Sequence, residues 1–171
     1  VVGYSKGKVF AYKKYYYKVT KTATKDGYGE LAVTGLRKKS ITVIKIAAVV
    51  KIAGASYKVT SVQANAFKGN KKVTKIYVGK NVKTIGKAAF ANMKKVKAVA
   101  INSKVLKKIQ KKAFYKDKKI KKIIIKSKKL KSIAKNAFKG VKKSCVIRVP
   151  KNKKKAYKKI FKKAKCKAKV K

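Results

Sequence analysis

An alanine–phenylalanine pair recurs four times along the chain at a nearly constant spacing. The pairs begin at Ala66, Ala89, Ala113 and Ala137, so successive copies are 23, 24 and 24 residues apart. When the copies are aligned on the phenylalanine, apolar columns appear five and eight residues before it and six, nine and eleven residues after it, with Ser144 as the one polar exception. Chance does not align five apolar columns on one period, so the sequence predicts a stack of structural repeats.

The last two apolar columns of each copy are separated by two residues, which places both side chains on one face of a short strand. These pairs are Ile76 and Val78, Val99 and Ile101, Ile123 and Ile125, and Ile147 and Val149. The Ala-Phe segment fits a single helical or 3-10 turn that places the phenylalanine ring in the core. A unit this small cannot bury its own apolar face, so the copies must stack into a parallel sheet. The predicted fold class is an α/β solenoid of about four repeats, with a period in the range of leucine-rich repeats.

The flanks of the repeats lack this period and predict caps, which a solenoid needs in order to cover its open ends. Residues 1–56 are rich in β-formers and contain glycine turns, which indicates a β-rich N-terminal cap. Residues 57–150 hold the repeats. Residues 152–164 have helical periodicity, and Cys166, Ala168 and Val170 alternate with lysines as in a strand. Residues 151–171 are therefore predicted to form a helix–strand C-terminal cap.

The chain is extremely basic. Lysine and arginine together number 54, acidic residues number three, histidine is missing, and the formal net charge is +51. A folded core is still expected, because 46% of the residues are hydrophobic and they are spread along the whole chain. Charge on this scale attracts nucleic acid, anionic polysaccharide or anionic cell-wall polymer. Only Arg37 and Arg148 carry the guanidinium fork that recognises a phosphate or a base bidentately, so the composition favours diffuse binding that does not depend on sequence.

The repeat period arranges many of the lysines into candidate polyanion-binding columns. The first lysine column is Lys71, Lys72, Lys94, Lys95, Lys118, Lys119, Lys142 and Lys143; the second is Lys83, Lys107 and Lys131; the third is Lys87, Lys111 and Lys135. Turns that stack about 4.8 Å apart place these charges well within the ~8 Å Debye length of physiological salt. A flexible polyanion would relieve their repulsion. The alternative is a solvated face that keeps the protein soluble.

Two other groups mix cationic with aromatic or apolar side chains. Strand positions that point away from the core form a candidate contact face, with ordinary sheet-surface packing as the alternative. This face comprises Lys75, Tyr77, Lys122, Ile124 and Arg148, together with Ala98, Ala100 and Val146. Near the N-terminus, tyrosines interleave with lysines, a combination that can stack bases or sugars, although packing of the cap also explains it. This cluster is Tyr12, Tyr15, Tyr16 and Tyr17 with Lys13, Lys14 and Lys18.

Residues 59–67 (Val-Thr-Ser-Val-Gln-Ala-Asn-Ala-Phe) and 82–90 (Val-Lys-Thr-Ile-Gly-Lys-Ala-Ala-Phe) resemble the BspA-type leucine-rich repeats of bacterial surface proteins. The resemblance covers about residues 57–150. It implies a secreted or wall-associated binding module involved in adhesion to host or matrix molecules, and hence an extracellular or cell-surface location. The start at Val1, without methionine, fits a processed or truncated fragment.

The two cysteines flank the predicted C-terminal helix. Cys145 shares the strand parity of Ile147, and Cys166 shares that of Val170, so the thiols would meet if the two strands were parallel neighbours. A disulfide would close a loop of about 20 residues and contribute about 3 kcal/mol. The extracellular location that the resemblance implies favours this bond. The alternative is two buried free thiols that act as small hydrophobic groups.

The residues that catalysis and metal binding need are scarce. Histidine is missing, and the three acids, Asp26, Glu30 and Asp117, are scattered along the chain. No glycine-rich phosphate loop is present, and two cysteines without histidine cannot fill a zinc site. We therefore expect no enzyme activity, no catalytic residue, no metal and no cofactor. We also expect no transmembrane segment, because no apolar run is long enough to span a bilayer.

These features favour a non-enzymatic module that binds anionic polymers through its lysine columns. The candidate polymers are glycosaminoglycan, mucin-type glycan, teichoic acid and extracellular DNA. One alternative is a structural module that stacks end to end into a filament or acts as a surface spacer. Another is an intracellular protein that compacts nucleic acid, which predicts no disulfide.

Overall fold

Short strands follow the repeat period in the computed structural model, which describes residues 2–171. In chain order they are β1 (Val9–Tyr12), β2 (Tyr15–Lys21), β3 (Gly29–Leu36), β4 (Val43–Ile46), β5 (Val49–Ile52), β6 (Ala55–Val62), β7 (Lys75–Val78), β8 (Thr84–Ile85), β9 (Ala98–Ile101), β10 (Lys108–Ile109), β11 (Lys122–Ile125), β12 (Ser132–Ile133), β13 (Val146–Arg148) and β14 (Lys169–Val170). Sheet A has the order β1-β2-β3-β6-β8-β10-β12, with β5 paired to β6 outside that order. Sheet B has the order β14-β13-β11-β9-β7-β4, and all its pairings are parallel.

The apolar columns set the register of both sheets. In sheet B, the column nine residues after each phenylalanine forms a row of paired and almost fully buried side chains. This row is Ile76, Val99, Ile123 and Ile147. In sheet A, the column five residues before each phenylalanine forms the matching row, Val62, Ile85, Ile109 and Ile133. Each turn of the chain therefore contributes one short strand to each sheet, and the core lies between the sheets.

The Ala-Phe segments are hydrogen-bonded turns rather than helices, because left-handed residues flank them. Asn65, Ala88, Lys112 and Asn136, each two residues before a phenylalanine, have φ of 62°, 53°, 58° and 68°. The residues two after each phenylalanine are also left-handed: Gly69, Asn92, Lys116 and Gly140. A right-handed helix cannot continue through such residues. The solenoid prediction is confirmed, but its helical part is corrected: the protein is a parallel β-solenoid, and its helix is confined to α1 (Lys154–Lys163) and a preceding 3-10 turn.

The repeat count is also corrected. Sheet B has six strands, which gives about six turns instead of the four predicted. β4 pairs in parallel with β7, and β14 pairs in parallel with β13, so one turn is added at each end. Both added turns lack the Ala-Phe pair, which is why the sequence period did not include them. β4 itself lies within the segment predicted as the N-terminal cap.

A ladder of phenylalanine rings runs through the core along the solenoid axis. Phe67, Phe90, Phe114 and Phe138 stack with ring centroids 5.4, 5.4 and 5.1 Å apart and near-parallel planes. Backbone bonds hold the turns together, since the N–H groups of Phe67, Phe90 and Phe114 each donate to the carbonyl of the alanine in the next copy, in all three cases at 2.8 Å. Because buried phenylalanines contribute several kcal/mol each, this ladder is a main source of stability.

Each end of the phenylalanine ladder is covered by an aromatic ring from a flanking element. Tyr15 of β2 lies edge-on to Phe67 at 6.2 Å, and Phe161 of α1 lies against Phe138 at 5.4 Å. Tyr157 of α1 is also buried, and its hydroxyl donates to the Ser127 carbonyl at 2.8 Å and accepts from the backbone of Leu130 at 3.1 Å. Among residues 2–171, no helix combines the length and apolar composition that a membrane crossing needs.

Candidate functional site

The first lysine column lies on exposed turns directly before the strands of sheet B. All eight of its lysines are exposed. The strand register offsets successive turns by 23 or 24 residues, which is also the spacing of the lysine pairs. Backbone bonds continue this alignment into the turns, since Lys97 N–H donates to the Thr74 carbonyl and Lys121 N–H to the Lys97 carbonyl, both at 2.8 Å. The lysine pairs are therefore brought side by side along one edge of the solenoid.

The second and third lysine columns are held in line by direct backbone bonds. Lys107 N–H donates to the Lys83 carbonyl at 2.8 Å, and Lys131 N–H donates to the Lys107 carbonyl at 2.9 Å. In the third column, the carbonyls of Lys87 and Lys111 accept from the turns beside them at 2.8 and 3.0 Å. All of these lysine side chains, including Lys135, are exposed.

An open cleft of about 600 Å³ joins the first and third lysine columns near the C-terminal end. Its lining includes Lys118, Lys142 and Lys143 from the first column and Lys135 from the third. The half-buried Tyr115 also lines it. Further lysines reach the cleft from neighbouring turns: Lys116, Lys139, Lys165 and Lys167. Among the residues that the structure describes, no acid belongs to the lining, so this cleft concentrates positive charge.

Two cleft features were missed by the sequence analysis. The Nζ atoms of Lys112 and Lys116 lie 5.0 and 5.2 Å from the centroid of the Tyr115 ring, which holds both cations against an aromatic face. Both lysines also have left-handed backbone; other copies carry Asn65 or Asn136 at the position of Lys112, and Asn92 or Gly140 at that of Lys116. The asparagines and glycines at these positions in other copies were the available signal for a left-handed backbone, because these residue types tolerate positive φ best.

The acids do not neutralise the lysine columns. Within the described residues, the one salt bridge joins Lys21 to Glu30 at 4.0 Å, in the N-terminal region. Asp117 is fully buried. Its Oδ1 accepts from the Met93 N–H at 2.8 Å, while Oδ2 has no partner among residues 2–171. Burial raises the pKa of Asp117 to about 8, although the bond from Met93 opposes the shift. This carboxyl is therefore mostly neutral at pH 7.

The outward face of sheet B carries the predicted contact residues in two rows. One row runs through Lys75, Ala98, Lys122, Val146 and Lys169, so that lysines alternate with apolar side chains. The other row runs through Lys45, Tyr77, Ala100, Ile124 and Arg148. The alternation separates successive lysines of the first row by two strand spacings, about 9.6 Å. The face is therefore a half-apolar, cationic surface.

The two cysteines are free thiols in the structure, Cys145 buried and Cys166 half-buried. β13 and β14 are parallel neighbours, as the sequence analysis assumed. Their register, continued by one residue from the pair Val146 and Lys169, places Ala168 beside Cys145. Burial raises the pKa of Cys145 to about 12, with a further contribution from nearby Cys166. The Cys145–Cys166 disulfide remains a prediction. No cluster of three or more metal-binding side chains occurs in residues 2–171.

Comparison with known proteins places this solenoid in a family. Residues 54–169 match the model of the BspA type leucine rich repeat region in six copies. The chain is a member of the BspA-type leucine-rich repeat family. This match confirms the resemblance seen in the sequence. A search of curated proteins gave no match.

Solved structures share the fold of this BspA-type chain. A leucine-rich repeat protein from Bacteroides capillosus matches with a TM-score of 0.67 and 23% identity over 83% of this chain and 98% of its own. One from Bacteroides ovatus matches with a TM-score of 0.64 and 27% identity over 84% of this chain but only 38% of its own. A leucine rich cell surface protein from Faecalibacterium prausnitzii matches with a TM-score of 0.56 and 19% identity, over 85% of this chain and 46% of its own.

Proposed function

We propose that this protein is a bacterial surface or secreted adhesion module that binds anionic polymers along its lysine columns. The observation that carries the proposal is the alignment of exposed lysines on successive turns, which form no salt bridge with an acidic side chain within residues 2–171. The family and the cell-surface protein from Faecalibacterium prausnitzii support a surface or extracellular location. The lack of histidine and of paired carboxylates supports binding rather than catalysis.

The spacing of the columns explains why a polymer is the expected ligand. Two unit charges about 4.8 Å apart repel by about 0.9 kcal/mol in water before salt screens them. Every turn of the first lysine column repeats this repulsion with its neighbours, and the acid beside the column, Asp117, is buried and mostly neutral at pH 7. A linear polyanion that follows the solenoid axis would neutralise several turns at once and release its own counterions. A single small anion would neutralise only one turn.

The chemistry of the side chains favours a ligand that is recognised by charge and shape rather than by base sequence. Lysine is a hydrated point charge on a flexible stem, whereas arginine supplies the rigid fork that sequence readers use. The cleft beside Tyr115 adds a concave region where the columns converge. We propose this cleft as the strongest contact of the lysine columns, because eight lysines surround about 600 Å³.

The alternative, a module that stacks end to end, has less support. Phe161 and Tyr157 of α1 cover one end of the phenylalanine ladder, and the β1–β2 hairpin covers the other with Tyr15. Capped ends remove the apolar surface that head-to-tail stacking would use. We therefore expect a monomer by light scattering at both low and high salt. Concentration-dependent growth in mass would instead favour assembly.

The test compares two variants of equal charge. One replaces Lys118, Lys142 and Lys143 with glutamine, which removes charge from the cleft. The control replaces Lys155, Lys158 and Lys159, three exposed lysines of α1. Binding to heparin and to a short DNA duplex is measured from low to physiological salt. For the duplex, the slope of log K against log salt should lose about two to three units in the cleft variant, since each neutralised phosphate contributes about 0.9.

The control should retain most of the affinity and slope of the original protein. Equal losses in the two variants would show that net charge alone governs binding, which contradicts the column proposal. Affinity that did not change with salt would contradict an electrostatic mechanism altogether.

A further inference from the structure

A second concavity, the tyrosine pocket, lies between the β1–β2 hairpin and the β4–β5 segment. It has a volume of about 440 Å³, within the range of small-ligand pockets. Tyr12, Tyr15 and Tyr17 line it together with four lysines, and small apolar side chains of the β4–β5 segment complete the wall. Within the described part of the chain, residues 2–171, no acidic side chain contributes to the lining. The pocket is separate from the lysine cleft near the C-terminus.

The two inner tyrosines, Tyr15 and Tyr17, pack in the hydrophobic core and also line the pocket. Tyr15 and Tyr17 are only 7% and 3% exposed. The Tyr17 ring stacks on Phe10 at 5.7 Å and lies edge-on to Tyr15 at 6.4 Å. Their faces are therefore covered. Tyr16, in contrast, points to the opposite side of β2 and is 41% exposed.

The hydroxyl of Tyr17 lacks a partner among the described residues, although its side chain is almost completely buried. Buried phenols normally find a hydrogen-bond partner. The Tyr17 oxygen retains some access to solvent, and Tyr17 is a lining residue of the pocket. Tyr15 Oη accepts from the Lys45 N–H at 2.7 Å, which leaves its own proton free to donate.

These hydroxyls remain protonated donors under all physiological conditions. Burial raises the pKa of Tyr17, and nearby Tyr15 and Tyr12 raise it further. Burial also raises the pKa of Tyr15. The proximity of the three phenols gives a convergent set of O–H groups. Around them the ammonium groups of Lys13, Lys14, Lys45 and Lys51 supply positive charge.

We propose that the tyrosine pocket binds a carboxylated sugar, a uronic acid unit of an anionic polysaccharide. The apolar wall suits the C–H face of a sugar ring, the phenols suit its hydroxyls, and the lysines suit its carboxylate. Stacking of a nucleic-acid base needs an open aromatic face, whereas the faces of Tyr15 and Tyr17 are covered and Lys13 Nζ lies 5.4 Å from the centroid of the Tyr12 ring. A free phosphate would leave the apolar wall unused. This inference rests on the proposed function and narrows its ligand from any polyanion to an acidic polysaccharide.

The position of the pocket connects it to the rest of the binding surface. Lys45 belongs both to the pocket lining and to the outward row of sheet B that continues through Tyr77 to Arg148. A polysaccharide lying across this row reaches the pocket without a break in contact. The lysine columns would then supply general attraction, and the tyrosine pocket would supply selectivity for the sugar.

The test uses a hyaluronan hexasaccharide, which carries a glucuronate on every second sugar, at physiological salt. Maltohexaose is the neutral comparison, and inorganic triphosphate is the non-sugar anion. With ring-labelled tyrosine, we expect the NMR signals of Tyr12, Tyr15 and Tyr17 to shift with the hexasaccharide while Tyr28, which lies elsewhere, does not shift. Maltohexaose and triphosphate should bind more weakly and leave the Tyr17 signal in place.

Single Tyr→Phe substitutions test whether one particular hydroxyl contributes to binding. Tyr17→Phe keeps the ring that packs on Phe10 and should weaken the hexasaccharide about tenfold, the usual effect of losing a hydrogen bond to a ligand. Tyr16→Phe removes a hydroxyl from the opposite side of the same strand and should have no effect. Equal affinity of the two variants, or an unchanged Tyr17 signal in the original protein, would overturn the pocket proposal.

Equal binding of triphosphate at the same tyrosines would also overturn it, because a sugar would then not be required. The pocket proposal and the proposed function can be refuted separately. Long polyanions that bind with steep salt dependence but cause no tyrosine shifts would refute the pocket alone. Loss of salt-dependent polyanion binding, with hexasaccharide binding intact, would refute the lysine columns alone.

Discussion

Asp117 makes the stability of this protein depend on pH in an unusual direction. Its carboxyl is fully buried, and burial raises its pKa to about 8 from a usual value of 3.8. Below pH 3.8 the group is protonated in both the folded and the unfolded chain. Between pH 3.8 and about 8 the unfolded chain releases the proton while the folded chain retains it. The free energy of unfolding therefore falls as pH rises through this window.

The size of the effect follows from the two pKa values. Each unit of difference corresponds to about 1.4 kcal/mol, so the full shift from 3.8 to about 8 gives at most about 6 kcal/mol. Asp117→Asn removes the ionisation but keeps an oxygen that can accept from the Met93 N–H. We expect the variant to lose this pH dependence and to be more stable than the original protein near pH 8.

Urea denaturation at intervals from pH 3 to 8.5 measures the effect, since urea leaves the ionic strength unchanged. Asp26→Asn, at an exposed turn position, is the matched control and should follow the original protein. Curves for the original protein and Asp117→Asn that stayed parallel from pH 5 to 8 would refute the argument. They would mean that the folded carboxylate is already ionised, held by a lysine.

Further predictions concern the core, the strained turns and the thiols. Phe114→Ala removes the middle of the phenylalanine ladder and should lower the free energy of unfolding by about 3–5 kcal/mol; a loss below about 1 kcal/mol would contradict the ladder's importance. Lys116→Gly should raise the free energy of unfolding by about 1 kcal/mol, because glycine adopts the φ of 59° without strain. A lower free energy of unfolding in urea denaturation would contradict this. Intact mass after mild oxidation should fall by two hydrogens if Cys145 and Cys166 pair, and alkylation of both thiols in the oxidised protein would refute the bond.

The repeat period was sufficient to predict most of the solenoid. One alignment on phenylalanine located the strands of sheet B, the buried rows and the lysine columns, because a solenoid repeats the same local contacts in every turn. It did not identify the outermost turns, since β4 and β14 form without an Ala-Phe pair. It also allowed a helical or 3-10 turn at the Ala-Phe segments, although the asparagines and glycines beside Phe67, Phe90 and Phe138 are residue types that tolerate a left-handed backbone.

The burial of Asp117 and the tyrosine pocket lie beyond such an alignment. The position of Asp117 is occupied by Met93 and Val141 in neighbouring copies, which was a signal for an inward side chain. The pocket had no comparable signal. It depends on the packing of the β1–β2 hairpin against β4 and β5, contacts between segments that no period relates. Tyr15 and Tyr17 could therefore be recognised in the sequence only as part of a mixed aromatic and cationic cluster.

Lysine footprinting tests the central claim most directly. The protein is acetylated briefly with and without heparin at physiological salt, and the modification of each lysine is measured by mass spectrometry. We predict that heparin protects the first lysine column and the cleft, above all Lys118, Lys142 and Lys143, while Lys155 and Lys159 of α1 stay reactive. Protection spread evenly over all exposed lysines would contradict the account, because it would show that the protein binds as a uniform cation and not through aligned columns.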